Sequence, residues 1–121
     1  MTFSDLIQFV GNSSSALGRL NPELLHPILE AIRAKTTPAS EDVIFISIFN
    51  TELVPKFNSL TSFLSECNRY SSRNISVNRA YKEIDSTFQS KVDEFRLGLN
   101  EHITRTKNLV NDYNNKTGIF A

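Results

Sequence analysis

The sequence predicts an all-α fold: an antiparallel three- to four-helix bundle with two long C-terminal helices (about 41–69 and 76–114) and two short N-terminal ones. Three observations carry this. From Val77 to Tyr113 the apolar residues fall at Val77, Tyr81, Ile84, Phe88, Val92, Phe95, Leu99, Ile103, Val110 and Tyr113, with Thr106 as the one break. Steps of three and four keep one face of a single helix apolar for roughly 55 Å at 1.5 Å per residue. Secondly, cap and stop signals divide the rest of the chain into helix-sized pieces. Thirdly, the single run rich in strand formers, Val43 to Phe49, has no second such run to pair with.

The elements follow in order. Thr2 caps a first short helix, and Asp5 stands where the reciprocal capping acid belongs. Phe3, Leu6, Ile7 and Val10 form its apolar face. Gly11 and the run Asn12-Ser13-Ser14-Ser15 are expected to end or loosen it, and Gly18 weakens any further turn. Asn21-Pro22 reads as a new start, an Asn cap with proline at the first helical position. Leu24, Leu25, Ile28, Leu29 and Ile32 face inward on this second helix, to about Lys35, and Pro27 should kink or restart it after His26.

Thr36 to Ala39 is a loop. Ser40 is expected to cap the third helix, whose first turn carries Glu41 and Asp42 at the positive end of the dipole. Its series is Ile46, Phe49, Leu53, Phe57, Leu60, Phe63 with Leu64, and Cys67. The Val43–Phe49 stretch reads as helix buried on nearly all sides, with a bend at Pro55. A polar turn at 71–75 leads to Asn74 or Ser76 as cap of the last helix, which Asn114, Asn115 and Gly118 end. Tyr81, Val92 and Ile103 are eleven apart, as are Phe88, Leu99 and Val110. That spacing favours a straight course over a left-handed supercoil.

A short turn makes the two long helices antiparallel and puts Glu41 beside Arg105. The stripe beyond, to Val110 and Tyr113, then overhangs the third helix. Either the first helix folds back over it or a second chain covers it.

Composition narrows the function classes. The 121 residues fit one domain, 1–121, and 40% hydrophobic residues with nine Phe make a real core possible. Thirteen basic residues cancel thirteen acidic ones, which argues against charge-driven nucleic-acid binding. The lone Cys67 excludes an internal disulfide and fits a reducing, cytoplasmic setting; residues 1–5 show no basic, apolar leader pattern. No apolar run approaches the length that spans a bilayer. Sequons at Asn12, Asn74 and Asn115 carry little weight in a chain so rich in Asn, Ser and Thr.

No catalytic, cofactor or metal site is expected. Glu23-Leu24-Leu25-His26 has the Glu-x-x-His spacing of di-iron bundles, but it occurs once, and His102 follows Glu101 directly, so those two cannot face one way. Cys67 on the apolar stripe reads as a small buried hydrophobe. The four glycines are scattered, so no phosphate loop exists.

Two surfaces remain. Leu97 and Gly98, with the overhanging Leu109, Val110 and Tyr113, are the expected partner-binding residues, and Ile44 and Ile48 lie on a side of the third helix away from its main stripe. The tip formed by Arg69, Arg73, Arg79 and Lys82 is the expected contact for an anion or a lipid surface, with Arg73 and free helix-start amides as the anion site. The expected function is a non-catalytic interaction module, acting on a protein partner or on itself. A membrane-surface bundle using the basic tip is the alternative.

Overall fold

The computed structural model describes residues 1–74 and 80–117. These residues are overwhelmingly helical, and no strand occurs among them; the only sheet-like pairing is an isolated antiparallel bridge between Thr2 and Glu83. The expected start of the last helix at Asn74 or Ser76, Val77 on its stripe, Arg79 of the tip and the stop at Gly118 lie outside what is described, Asn74 by its side chain alone.

Three helical courses pack side by side. The first, α1, spans 3–33. It runs as α-helix from Phe3 to Leu20, widens into a π turn over Asn21–Leu25, and resumes as α-helix over His26–Arg33. The second, α2, spans 40–74 and is built the same way: Ser40–Ile48, a π turn over Phe49–Leu53, then Val54–Asn74. The third, α3, is Ser86–Thr117 without interruption.

This corrects the expectation of two short N-terminal helices. Asn21 has helical dihedrals, φ −67° and ψ −58°, so it continues a helix rather than capping a new one. Gly11 and the serines do not stop the first piece either. Val10, Ser13, Leu17 and Leu20 are all buried, and that tertiary contact outweighs weak local propensity. Each π turn ends two residues before a proline. The N–H of His26 reaches back five residues to the Asn21 carbonyl ahead of Pro27, and that of Val54 to the Phe49 carbonyl ahead of Pro55. A proline has no N–H for the usual bond, and its ring crowds the carbonyl four residues back. One widened turn relieves the crowding and keeps the helix going.

At its start, α1 is tied to the connection before α3. Thr2 and Asp5 form the expected capping pair, at 3.1 and 3.0 Å. The next free amides, of Phe3 and Ser4, donate to the carbonyls of Lys82 (3.0 Å) and Ala80 (2.9 Å), and the Ile84 amide donates to the Met1 carbonyl at 3.0 Å. The N-terminal ammonium meets Glu83 at 2.7 Å. Helix-start donors that water would otherwise satisfy are thus spent on holding this connection.

The connection is longer than the sequence reading allowed, and α3 starts ten residues later, at Ser86. Asp85 caps it, accepting from the Phe88 amide at 2.8 Å. Tyr81, expected on the stripe, belongs to the connection and is 85% exposed. The register shifts accordingly. Arg105 pairs with Glu52 at 2.9 Å, not with Glu41. Lys91 reaches Glu66, and Phe45 packs on Tyr113. The helices α2 and α3 are antiparallel as expected, but offset by three helical turns. The offset slides the start of α2 over the end of α3, and no overhang remains.

Two cores result. One holds Phe3, Leu6, Val10, Leu60, Leu64, Cys67, Phe88, Val92 and Phe95 among others, and the second holds Leu25, Ile28, Ile32, Phe45, Leu53, Leu109, Val110 and Tyr113. A ladder of rings runs through the first, Phe3–Tyr70–Phe88–Phe63–Phe95–Phe9, with centroids 3.9–6.0 Å apart. The guanidinium of Arg96 lies 4.7 Å over the last ring. Leu24 packs against both cores.

Candidate functional site: the groove between α2 and α3

The start of α2 is laid across the end of α3 by the second core. Ala39, not Ser40, occupies the cap position of α2, with extended dihedrals and no side-chain oxygen of its own. Asp42 supplies only the reciprocal bond of a capping pair, accepting from the Ala39 amide at 2.8 Å. Its carboxylate also accepts from Lys35 at 3.0 and 2.8 Å and from the Tyr113 hydroxyl at 2.6 Å. Asp42 is fully buried, and these bonds compensate its lost hydration. The Lys35 ammonium, the Tyr113 hydroxyl and the Ala39 amide hold its carboxyl well below the usual range, at about 2. Lys35 is raised in return, chiefly by its bond to Asp42, and Tyr113 is raised, chiefly by burial. This latch joins the end of α1, the start of α2 and the end of α3.

Beside the latch runs a groove of about 220 Å³. Ile44, Phe45 and Ile48 of α2 and Leu109 and Tyr113 of α3 form its apolar surface, and Glu41, Arg105, Asp112 and Lys116 its charged margin. Val43 and Ile44, which the sequence reading placed in a segment buried on nearly all sides, are 59% and 53% exposed. Phe45 alone of that segment's apolar residues is fully buried; Ile46 is half-buried.

The expected partner-binding residues separate. Leu109, Val110 and Tyr113 are buried in the second core, under residues of both α1 and α2. Leu109 and Tyr113 keep edges on the groove. Leu97 stands 67% exposed and apart from them. Gly98 is approached from within the chain, since a Cβ there would lie 3.3 Å from the Lys56 ammonium of α2.

At the opposite end, Arg69, Arg73 and Lys82 are exposed. The expected anion site at the start of α3 is filled by the chain itself. Asp85 occupies the helix-start amides and also accepts from the Tyr70 hydroxyl at 2.8 Å. Hydrogen bonds from the Phe88 amide and from Tyr70 lower the Asp85 pKa.

Glu23 and His26 are exposed, and His26 faces Glu30 across 4.0 Å. No group of three or more potential metal ligands occurs among the described residues. Burial pushes the Cys67 thiol up to about 11, so it is neither exposed nor ionised near neutrality. His102, on α3, is only 4% exposed, and burial, with a contribution from Lys56, lowers its pKa.

The sequence reading missed the Asp42 latch and the burial of His102. A signal existed for each. Asp42 was legible as an acid one turn into a helix whose preceding residue, Ala39, cannot cap. His102 and Thr106 lie in phase with Leu99, Leu109 and Tyr113, so the break at Thr106 marked polar groups on the buried face rather than an interruption of it. Thr106 is fully buried and returns its hydroxyl to the His102 carbonyl at 2.8 Å.

Among the described residues, no helix is long and apolar enough to cross a membrane. Comparison with protein-family models, with curated proteins and with solved structures finds no match to this chain.

Proposed function

We propose that this chain is a non-catalytic helical-bundle interaction module, and that it self-associates through the groove between α2 and α3. One observation carries the reading: Val43 and Ile44, neighbouring large apolar residues at the start of α2, stand more than half exposed beside a groove with an apolar floor. The margin favours a second copy as the occupant. It carries two acids, Glu41 and Asp112, and two bases, Lys116 and Arg105, the latter already paired with Glu52. A two-fold contact places the same patch on itself, and a patch with both signs can set acid against base across the axis. The formal net charge of zero adds no long-range repulsion between copies. A protein partner is favoured over a lipid surface because Glu83 and Asp85 sit beside the basic tip.

Light scattering over a range of concentration tests this. The parent chain is expected to approach twice its monomer mass as concentration rises, and Val43→Glu/Ile44→Glu to stay monomeric with unchanged helical circular dichroism. A parent chain that stays monomeric throughout overturns the self-association.

A further inference from the structure

The two π turns face one another. Asn21 and Leu25, the first and last residues of the turn in α1, line the same cleft as Phe49 and Leu53, the first and last residues of the turn in α2. His102 of α3 lines it as well, and also a shallower cleft beside it. The cleft measures about 240 Å³. That is far more than the ~10–15 Å³ a single water requires, and less than the ~300–1,000 Å³ typical of sites for drug-sized molecules.

His102 is the second observation. It is more than nine-tenths buried, yet its ring nitrogens bond to no other described residue. The nitrogens are not sealed off: among the described residues the one buried side-chain polar atom without a partner is Gln89 Oε1, so the polar edge of the His102 ring is what remains open. Here a neutral imidazole, with one donor and one acceptor, is presented to a cleft whose other contacts are mainly apolar. The widened turns make the space. Each adds a residue to its helix beside a proline, and wide turns of this kind occur often at functional sites.

We propose that this cleft binds a small uncharged aromatic compound bearing one hydroxyl or N–H group, with the ring between the two wide turns and the polar group on His102. Leu25, Leu53 and the aromatic side chains of Phe49 and Phe57 suit a flat apolar ring. Asn58, beside them, offers a further amide to the polar group. The surrounding charges select against an ion. Glu52 and Arg105 neutralise each other at 2.9 Å, and Lys56 and Glu101, which share the adjoining cleft with His102, are of opposite sign.

Phenol is the probe, benzene its control, and the readout is the nitrogen NMR spectrum of the two histidine rings in the full chain. Phenol is expected to shift the His102 ring nitrogens saturably while leaving exposed His26 unmoved, and benzene to bind at least tenfold more weakly. His102→Phe, followed by the backbone amide shifts of Leu53 and Phe57 because the reporting ring is gone, is expected to reduce phenol to the affinity of benzene. Should that variant fail to fold, Val54→Trp, which fills the cleft from a half-buried position at its edge, is expected to abolish the shift with helicity retained. Absence of a saturable His102 shift overturns the proposal, as does equal binding of phenol and benzene or undiminished binding by Val54→Trp.

Discussion

The two ends of the molecule are held by different forces. Around Phe88 the core is a ladder of aromatic rings with Leu, Val and Cys67 packed into it; among the described residues its charged neighbours, Arg96 and Asp85, lie at its exposed edges and none is buried within. Around Tyr113 fewer apolar residues are gathered, and a buried carboxylate ties them together. Apolar area is indifferent to pH and to exact direction. A buried carboxylate demands directed bonds, and it is left uncompensated if a partner is removed. The first end therefore supplies bulk stability, while the second fixes how the chain ends meet: Lys35 just past α1, Asp42 early in α2 and Tyr113 late in α3 are each placed by one carboxylate.

The largest expected effect that sharpens this contrast is Phe88→Ala. It removes a ring 3.9 Å from Tyr70 and 6.0 Å from Phe63, and should cost about 3–5 kcal/mol in urea denaturation, equally at pH 7 and pH 4.5. A deficit that varies strongly over that range would break the distinction between the two ends.

Asp42→Asn is expected to lower the melting temperature at pH 7 by less than Phe88→Ala does. Its signature is in acid. The Asp42 carboxyl is held at about 2 in the folded chain against an ordinary value of 3.8. Its contribution is therefore complete above 3.8 and lost as pH falls through 2, because the unfolded chain binds the proton first. The parent and Asp42→Asn should converge in stability across that window, whereas parent and Phe88→Ala should not.

A milder acid effect belongs between the two ends. Burial holds the His102 pKa below 6.5 in the folded chain. The unfolded chain takes up its proton first, so stability should begin to decline as pH falls below 6.5, well before Asp42 titrates. His102→Gln should remove this first decline and leave the second in place, as followed by melting temperature from pH 7.5 down to pH 2.

Cys67 gives a view of the ladder end without altering stability. It is fully buried and its thiol titrates at about 11. Modification by a thiol reagent at pH 7.5 should follow the opening of the structure, and Phe88→Ala should accelerate it far more than Asp42→Asn does. The smallest effect is expected from Leu97→Ser. Leu97 is 67% exposed and belongs to neither core, so unfolding free energy should change by no more than about 0.5 kcal/mol.

Much of the site was legible, though not its assembly. Helix faces followed from spacing: Phe88, Val92, Phe95, Leu99, Val110 and Tyr113 are buried as their periodicity required. The capping pair Thr2–Asp5 was legible because its bonds are local. The start of α3 was not, because Tyr81 and Ile84 happen to continue the stripe's spacing through residues 80–85, which are not helical. Asp85 followed by Ser86 and Thr87 was the competing start signal. The expected exposure of Leu109, Val110 and Tyr113 rested on that same misplaced start. Val43 and Ile44 misled in the opposite sense, since apolar character alone could not show that the packed side of α2 there is turned to Phe45.

By itself the sequence determined that the chain is helical, which sides of its helices are apolar, and how α1 begins. The tertiary structure alone decided the register of α2 on α3, the continuity of both proline-containing helices, and hence what lies over Tyr113 and what faces His102. The reason is the helical period. Eleven residues make just over three full turns, so sliding Arg105 from Glu41 to Glu52 presents the same face to the same neighbour. Periodicity reports direction around a helix axis and says little about position along it. Position was set by contacts between residues far apart in the chain: Phe3 and Ser4 on the carbonyls of Lys82 and Ala80, and Tyr113 on Asp42.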